Sequence, residues 1–534
     1  MRNGALVLVL MIALFSRAYA QEILVDSIDL NKFSGVYKGG NMGEMVYVPY
    51  FTTNKSGKKN FIIRQIESHS FNEDKTIRLE LPETYELKHS AFNGMGYLLS
   101  FYDAAKKENV LMTVSNGAVY KKKTSKANGQ ELIPLSGNEG FILLTVNSKG
   151  GYSIENIDIE LKARWEKSFN PASGTTWDII SAKSTMEGLE IIRKENGQGG
   201  KYAFTLHTIQ PDAGDDIGQS VLAMNETNVY PTFFSGSEGM RYTGGYYYKN
   251  NTYTKQPDGV FMSMITMDGT LHEVKKVPYS QVIEAVKSTL GGTLASGNSS
   301  IIFSGGTMSH ETQSYILTGQ LISKENTEKG CSVTLGDFVT VKIKLDGEDP
   351  DGTFKNATVI KSEPQIIKFT GNAAGTNILD FGTWMQHAGL LHFKYFAQMP
   401  GNPVMAYTSV DKNGVSSFCF RNVGLDPDTI EPICMPLNRE PKPARDYAFA
   451  GTSIPPDFAT DNTVITQEQV PIDYATFGFN DKMLTLRKMP IVSLEKLQIE
   501  IQPDEPVLED PGSQPNPDEE QRDEEPHETN TSEG

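Results

Sequence analysis

The sequence predicts an all-β fold, and within that class a β-propeller-like toroid of about seven to eight degenerate four-stranded blades. Short runs of alternating apolar residues recur along the chain, which is the pattern of strands with one buried face. Clusters of Asn, Asp, Gly and Lys separate these runs, so that strand–turn–strand units repeat at irregular intervals. A pair of stacked β-sandwiches is the alternative that the same pattern leaves open.

The clearest strand pair is a hairpin in which residues 110–114 and 118–121 flank the turn dipeptide Asn116-Gly117. An Asn-Gly dipeptide between alternating apolar runs is the strongest short-range signal for a hairpin. Weaker strand–turn–strand units of the same kind have their turns at 72–74, 268–269, 346–347 and 413–414. Because each unit is too small to be stable alone, we expect neighbouring blades to bury one another's faces.

One helix interrupts the strands. Ser280 can cap its first turn, and an apolar stripe at helical spacing ends at Gly291-Gly292. The stripe comprises Val282, Ile283, Val286 and Leu290. We therefore predict a short helical insertion packed against the sheets.

The first twenty residues have the features of a signal peptide. Arg2 supplies a positive charge, residues 6–15 are uncharged and mostly apolar, and Ala18-Tyr19-Ala20 has the small-x-small pattern of a cleavage site. Residue 21 is Gln and not Cys, so the lipoprotein acylation site is missing. No later segment reaches the roughly 18 apolar residues of a transmembrane helix. We expect an exported protein, periplasmic or extracellular, without a transmembrane span.

The net charge of −17 is unevenly distributed along the chain. Residues 501–534 contain twelve acidic residues and Arg522 as the only Lys or Arg, so this segment carries −11 and the rest of the chain −6. The segment is also rich in Pro and poor in large apolar residues, which predicts a disordered acidic tail. Elsewhere no basic stripe is present, which argues against a nucleic-acid partner. The expected division is a signal peptide at 1–20, one propeller-like domain at 21–500 and the tail at 501–534.

Of the three cysteines, Cys419 and Cys434 flank the turn-forming stretch at 423–429. Export permits a disulfide between them across a hairpin, but the sequence does not show whether the two side chains share a face. Cys331 would then be a lone buried thiol.

Catalytic signatures are incomplete, so we assign no catalytic residue and no cofactor. The segment Gly151-Tyr-Ser-Ile-Glu155 begins like a nucleophile elbow but lacks the closing glycine. Gly292-Thr-Leu-Ala-Ser-Gly-Asn298 has the length of a phosphate-binding loop, with Asn298 where the lysine must be. Both segments are therefore interpreted as structural.

No metal ligand set is assigned either. The acidic residues at 346–351 have oxygen ligands that suit Ca²⁺, yet their spacing does not match an EF-hand loop, and a solvated hairpin loop is the better interpretation. His387 and His392 are an odd number of residues apart on an expected strand. Their side chains should then point to opposite faces, as two structural histidines.

The most suggestive candidate binding surface is aromatic. Tyrosines among Gly and Asn offer flat apolar faces and hydroxyl groups that can hold a sugar or a peptide. The proposed ligand-binding residues are Arg241, Tyr242, Tyr246, Tyr248 and Tyr253. Period-two alternation places Tyr246 and Tyr248 on one face and turns Tyr247 inward. The alternative is that these tyrosines fill the space between adjacent sheets.

Three segments resemble exported, propeller-like proteins of Bacteroidota that belong to a family of unknown function. They are the Ala18-Tyr-Ala-Gln-Glu22 junction, the strand Tyr97-Leu-Leu-Ser-Phe-Tyr102 and the stretch Asn156-Ile-Asp-Ile-Glu-Leu-Lys-Ala-Arg-Trp165. The resemblance covers most of residues 21–500. It implies export and a propeller-like fold, and it carries over no catalytic residue.

Together these features favour a non-catalytic binding or scaffold protein of the cell envelope, with a glycan, a peptide or an envelope protein as its partner. A propeller-type glycosidase or lyase acting on extracellular glycans is the second hypothesis, since carboxylates from different blades can meet in a central funnel without a local motif. A purely structural envelope component is the third.

Overall fold

The computed structural model of the protein describes residues 58–436 apart from short loop segments, together with strands between 21 and 53, at 446–449 and between 473 and 490. The omitted loop segments lie at 68–72, 116–117, 125–129, 136–139, 148–149, 186–187, 199–200, 225–227, 238–239, 250–256, 267–268, 295–297, 310–311, 346–351, 398–402, 412–415 and 424–430. The expected signal peptide, the acidic tail, the 346–351 loop and Tyr253 therefore lie outside the described residues.

The described strands form eight sheets that follow one another along the chain, and every strand pair is antiparallel except β27–β32. The first contains β2 (Phe33–Val36), β3 (Gly40–Met42), β4 (Met45–Thr53), β5 (Lys59–Glu67) and β6 (Glu73–Leu81). The second contains β7 (Tyr85–Phe92), β8 (Tyr97–Asp103), β9 (Glu108–Ser115) and β10 (Ala118–Thr124). The third contains β11 (Gln130–Pro134), β12 (Phe141–Val146), β13 (Tyr152–Ile157) and β14 (Ala163–Phe169).

Four further sheets continue this arrangement. The fourth contains β15 (Thr176–Ser184), β16 (Leu189–Asn196), β17 (Tyr202–Ile209) and β18 (Asp216–Leu222). The fifth contains β19 (Asn228–Ser237), β20 (Met240–Tyr248), β21 (Gly259–Ile265) and β22 (Leu271–Pro278). The sixth contains β23 (Ser299–Ser309), β24 (Ser314–Thr327), β25 (Gly330–Lys344), β26 (Thr353–Ile360) and β27 (Gln365–Gly371), with β32 (Asp446–Phe449) parallel to β27. The seventh contains β28 (Phe393–Ala397), β29 (Val404–Val410), β30 (Ser416–Asn422) and β31 (Ile433–Pro436).

The eighth sheet joins the two ends of the strand array. It contains β33 (Asp473–Asn480), β34 (Met483–Pro490) and β1 (Gln21–Ser27), in the order β33-β34-β1. Strand β1 runs antiparallel to β34, and Gln21 pairs with Lys488 while Ser27 pairs with Met483. The first strand of the chain thus completes the last sheet.

Consecutive meandering sheets of about four strands are the blades of a β-propeller. The first strands of neighbouring blades contact each other, as in the pairs β7–β11, β11–β15, β19–β23 and β23–β28. These strands therefore lie innermost, while last strands such as β14 and β18 are largely exposed. The structure confirms the predicted propeller-like fold of seven to eight blades, and the stacked sandwiches are not observed.

Two α-helices lie in the described part of the chain, α1 (Tyr279–Leu294) and α2 (Ile378–His387). Helix α1 confirms the predicted insertion, because its residues Val282, Val286 and Leu290 are buried. The helix begins at Tyr279, so Ser280 lies within its first turn and is not the cap that the sequence predicted. Helix α2, which follows a short 3-10 turn (Asn372–Gly375), corrects the expectation that His387 lies on a strand. No described helix is long and apolar enough to cross a membrane.

The largest hydrophobic cluster joins blades four to six with both helices. Its members include Phe204 in blade four, Phe261 in blade five, Ile302 in blade six and Phe381 in α2. Because adjacent blades cover both faces of their neighbours, strands such as β20 are apolar on both sides and do not follow a simple alternation. This cluster fixes α2 against the inner strands, and it thereby positions the site described next.

Candidate functional site

Helix α2 packs across the innermost strands β15, β19 and β23 of three successive blades. Its first turn is capped by Asn377, whose side-chain oxygen accepts a hydrogen bond from the Leu379 backbone N–H at 2.7 Å. Gly382 allows the helix to approach β23 closely, because a Cβ at this position would lie 2.4 Å from Cδ1 of Ile302. The helix is therefore held against the inner end of blades four to six.

A narrow cleft lies between α2 and blades four and five, and we call it the α2 cleft. Its walls include the apolar side chains of Ile180 and Trp384. Its polar lining residues are Asp178, Lys194, Tyr230, Asp380, Thr383 and His387. Three separate parts of the chain thus bring titratable and hydroxyl groups to one place.

The centre of the α2 cleft is an ion pair. Lys194 Nζ donates to Asp380 Oδ1 at 2.7 Å, and the Tyr230 hydroxyl donates to the same oxygen at 2.6 Å. The ammonium of Lys194 also lies 5.7 Å and 5.6 Å from the ring centres of Tyr202 and Tyr230. The Lys194 side chain is only 5% exposed, so this pair is a buried, hydrogen-bonded contact between blade four and α2.

A second carboxylate, that of Asp178, lies in the same cleft. Its Oδ2 accepts a hydrogen bond from Asn196 Nδ2 at 2.8 Å. The α2 cleft therefore contains two carboxylates and one ammonium group, an arrangement that does not favour an anion.

Three polar side-chain atoms on α2 are buried without a hydrogen-bond partner among the described residues, Thr383 Oγ1, Gln386 Oε1 and His387 Nε2. Thr383 and His387, which line the cleft, are four positions apart and therefore share one face of the helix. Thr383 is 2% exposed. Buried polar atoms are nearly always hydrogen-bonded in folded proteins, so two such atoms beside one cleft indicate groups that the fold itself does not use.

Burial lowers the pKa of His387 from 6.5 to about 4. The imidazole is therefore neutral at physiological pH, and its Nε2 can act as a hydrogen-bond acceptor or donor according to the tautomer. Together with the Thr383 hydroxyl, it offers uncharged hydrogen-bonding capacity in the cleft.

A second cleft, which we call the Arg241 cleft, lies between blades four and five. Arg241 forms an ion pair with Glu190 and donates from Nη2 to the Thr266 carbonyl oxygen at 2.5 Å. Lys183 and Tyr242 also line this cleft. Its apolar lining residues are Ile192, Leu206, Leu222, Phe234 and Ile265. Because its guanidinium already binds Glu190 and a backbone carbonyl, Arg241 chiefly links the two blades.

The aromatic segment lies inside the protein and is not an exposed surface. Tyr246 is 0% exposed and donates a hydrogen bond to the Ile301 carbonyl oxygen of blade six. Tyr242, Tyr247 and Tyr248 are also buried. The expectation that Tyr246 and Tyr248 face outward while Tyr247 faces inward is wrong, because neighbouring blades cover both faces of β20. Of the proposed binding residues, Arg241 and Tyr242 line a cleft.

A further polar network is buried between blades three and four. The Tyr152 hydroxyl lies 2.5 Å from His207 Nδ1, and His207 Nε2 lies 3.2 Å from Asp216 Oδ1. Arg193 stacks on Trp177 with its guanidinium carbon 3.9 Å from the ring centre. Burial lowers the pKa of His207 to about 4. Tyr152 and His207 are both 0% exposed, so this network contributes to blade packing and is inaccessible to a ligand.

The cysteines lie as follows. Cys419 on β30 and Cys434 on β31 are directly paired across the two strands and joined by a disulfide bond. Cys331 is a buried free thiol. Ser153, in the incomplete elbow motif, lies within strand β13. We therefore interpret neither the Cys331 thiol nor the Ser153 hydroxyl as an activated nucleophile.

No group of three potential metal ligands is found among the described residues. His387 ends helix α2, whereas His392 precedes β28 and contacts Gln320 and Gln365 through its two ring nitrogens at 3.1 Å and 3.2 Å. The two histidines are therefore in different environments.

No protein-family model and no curated protein matches the sequence. Among solved structures, the polysaccharide lyase Uly1 is similar at 10% identity, covering 89% of this chain and 100% of that chain, with a TM-score of 0.36. The β-propeller domain of the Trilobed protease from Pyrococcus furiosus is similar at 10% identity over 77% and 100% of the two chains, with a TM-score of 0.35. The Nup133 β-propeller domain from Vanderwaltozyma polyspora is similar at 10% identity over 88% and 100%, with a TM-score of 0.33. Similarity this low identifies no functional site in this protein.

Proposed function

We propose that this protein is an exported, non-catalytic binding or scaffold propeller of the cell envelope. The observation that carries the proposal is the α2 cleft, where the fold gathers side chains from two blades and a helix but leaves Thr383 Oγ1 and His387 Nε2 without a hydrogen-bond partner among the described residues. Ligand sites are concave and contain a few convergent polar groups of this kind. The signal-peptide pattern of residues 1–20 supports export.

Binding is favoured over a purely structural role by those two side chains. A component that only fills space is expected to satisfy its buried polar atoms internally, since each unsatisfied atom costs about 1–3 kcal/mol. A ligand that supplies the missing hydrogen bonds would recover this free energy. The α2 cleft therefore has a physical reason to be occupied.

A propeller-type glycosidase or lyase is the second candidate, and one observation favours it. Asp178 and Asp380 line the same cleft, and glycosidases use two carboxylates that flank the scissile bond. However, Asp380 is held by Lys194 and Tyr230, and Asp178 by Asn196. These contacts keep both carboxylates in fixed structural roles, which makes binding the better interpretation.

The test is to apply the purified protein to glycan and peptide arrays and to incubate every ligand found with the protein in solution. We expect the ligand to raise the melting temperature, because it binds the folded state, and to be recovered intact by mass spectrometry. A cleaved ligand would establish an enzyme instead. In that case Asp178→Asn and Asp380→Asn should abolish cleavage, which would identify the second candidate.

A further inference from the structure

We propose that Lys194 and Asp380 join covalently once the protein has folded, through an isopeptide bond between Lys194 Nζ and Asp380 Cγ that forms with loss of one water molecule. The inference is independent of the proposed binding function, because it concerns a modification of the chain itself. It rests on the contact between the two groups, on their burial and on the polar side chains around them.

The amine and the carboxyl group are already in contact. Lys194 Nζ lies 2.7 Å from Asp380 Oδ1, the oxygen bonded to the carbon that the nitrogen attacks. The two side chains extend from β16 and α2, and α2 is capped and packed closely on β23. Groups held in this way react as though present at about 10⁵–10⁸ M. The contact therefore favours a condensation that the same two groups do not undergo in dilute solution.

Burial favours the neutral forms that react. An amine is a nucleophile only after it has lost its proton, and a carboxyl carbon accepts it only when the group is a carboxylic acid. The side chains of Lys194 and Asp380 are 5% and 19% exposed. Separate charges are poorly solvated in such surroundings. Transfer of one proton along the hydrogen bond converts the ion pair into a neutral amine and a neutral acid.

Two further side chains of the α2 cleft match the proton transfers that the condensation needs. The Tyr230 hydroxyl donates to Asp380 Oδ1 at 2.6 Å, so it withdraws electrons from the bond between Cγ and this oxygen. Asp178 supplies a second carboxylate to the lining of the same cleft. Asn196 Nδ2 donates to Asp178 Oδ2 at 2.8 Å and thereby orients it. We assign to Asp178 the transfer of a proton from the nitrogen to the leaving oxygen.

The condensation then balances without any other reactant. Lys194 passes a proton to Asp380 Oδ1, and the lone pair of the neutral amine forms a bond to Cγ while the electron pair of the C=O bond moves to Oδ2. Asp178 accepts a proton from the attacking nitrogen and delivers it to the Oδ1 hydroxyl. The bond from Cγ to Oδ1 breaks, Oδ1 leaves as water, and the C=O bond to Oδ2 re-forms. Asp178 ends as a carboxylate, and the product is a secondary amide.

Mass spectrometry of the mature protein tests the bond directly. After reduction of the disulfide, the wild-type protein should be lighter than its sequence by one water molecule. A tryptic digest should contain a branched peptide that joins the segments of Lys194 and Asp380, and trypsin should no longer cleave after Lys194. The bond survives denaturation and closes a loop between positions 186 apart, so the denatured chain should also migrate faster in a denaturing gel.

The same digest contains an internal control. Lys361 Nζ lies 2.9 Å from Asp337 Oδ2, but the Lys361 side chain is 69% exposed. This pair has the same residue types and a similar distance without the burial of the lysine. Its peptides should be recovered unlinked.

Two variants separate the chemistry from the packing. Lys194→Arg keeps the positive charge but has no amine that can lose its proton, so it should have the full mass. Lys361→Arg is its matched control and should keep the bond. Asp178→Asn keeps the shape of the side chain and removes the proton acceptor, so it should slow formation of the bond by about 10²-fold or more. Circular dichroism verifies that each variant folds.

Each outcome decides one part of the inference. A wild-type protein of full mass, with separate peptides for Lys194 and Asp380, would overturn it without any variant. Linkage of Lys361 to Asp337 as well would show that burial in the cleft is not the cause. A folded Lys194→Arg protein that still lacks one water molecule would place the bond elsewhere. An undiminished rate in Asp178→Asn would remove Asp178 from the reaction and leave the bond itself established.

Discussion

Lys194 and Asp380 are 186 positions apart in the sequence, yet Lys194 Nζ lies 2.7 Å from Asp380 Oδ1. The pair joins the second strand of blade four to a helix inserted between blades six and seven. Together with the hydrogen bond from Gln386 Nε2 to the Ser304 carbonyl oxygen, it fixes helix α2 over the inner strands, and it lines the candidate site.

Replacing one partner of this pair should destabilise the protein strongly. Lys194→Met leaves the Asp380 carboxylate partly buried without its cation, at a cost of about 3–5 kcal/mol. Urea denaturation should detect this as a lower midpoint. Lys167→Met is the matched control, because Lys167 and Asp215 are exposed and such pairs contribute at most about 1 kcal/mol. Equal effects of the two substitutions would show that the Lys194–Asp380 pair does not hold α2.

The double substitution Tyr246→Ala and Tyr248→Ala should abolish folding. Both side chains are at most 1% exposed, and each aromatic-to-alanine change in a core costs about 3–5 kcal/mol. The sum approaches the whole stability of a typical domain. Circular dichroism and gel filtration measure the result. Val221→Ala on β18 is the control, since Val221 is 60% exposed and should change stability by less than about 0.5 kcal/mol. A folded, ligand-deficient double variant would restore the aromatic segment as a binding surface.

The protein should lose stability in acid below about pH 6.5. The folded-state pKa values of His207 and His387 are both lowered to about 4 by burial, so between pH 4 and 6.5 the unfolded chain binds more protons than the folded one. Stability from these histidines is complete above pH 6.5 and is lost as the pH falls towards 4, by at most roughly 3 kcal/mol for each residue. Denaturation curves at several pH values test this.

His387→Gln removes one of the two titrating groups and should make the same pH dependence shallower. The exposed His272 provides the control, because its side chain is 61% exposed and His272→Gln should leave the curve unchanged. A pH profile that is unaffected by His387→Gln would mean that this imidazole is not buried in its neutral form.

Removing the disulfide should weaken the seventh blade. Cys419 and Cys434 are 15 positions apart, and a loop of this length corresponds to about 3 kcal/mol of stabilisation. The double substitution to serine should lower the unfolding free energy by this order, and a reducing agent should have the same effect on the native protein. The reducing agent should then have no effect on the double variant. Free thiols at both positions in the oxidised protein would contradict the bond.

Deleting residues 21–27 should open the propeller. Six residue pairs connect β1 to β34, and at about 1 kcal/mol for each hydrogen bond their loss costs several kcal/mol. Thermal denaturation should show a large fall in the melting temperature. Deleting residues 503–534 is the comparison, since the composition of this tail predicts little effect. A similar fall in both deletions would contradict either the closing role of β1 or the prediction of a dispensable tail.

The sequence predicts those parts of the fold that depend on local pattern. The hairpin of β9 and β10 follows from alternating residues around Asn116-Gly117, and Ser115 does pair with Ala118. Helix α1 follows from an apolar stripe at helical spacing. The pairing of β1 with β34 has no such local signal, because seven other sheets lie between the two strands in sequence and their combined geometry brings the strands together.

Helix α2 shows why the candidate site was missed. Gly382 and Thr383 have low helix propensity, and the segment is only ten residues long. Its polar residues Asp380, Thr383 and His387 line the cleft and do not face solvent, so they do not mark a solvent-exposed helix face in the sequence. Asn377, an N-cap residue, followed by Asp380 in the first turn was the signal that could have located it.

The tyrosines of β20 illustrate a limit of the period-two argument. Alternation distinguishes inside from outside when one face of a strand is exposed. Strand β20 is second in its sheet and is covered on both faces by adjacent blades, so residues 242–248 are buried without alternation. Aromatic density among glycines here indicated a packed core.

The pairing of β1 with β34 also sets a time order for folding. Residues 21–27 are made long before residues 483–490, so β1 must wait for its partner. The other blades form from neighbouring segments, except that β32 joins the sixth sheet from beyond the seventh. Contacts this distant in sequence are slow to form, because a long loop must close first. A chain that is truncated before β34 is made would retain β1 as an unpaired strand edge, the kind of surface that initiates aggregation.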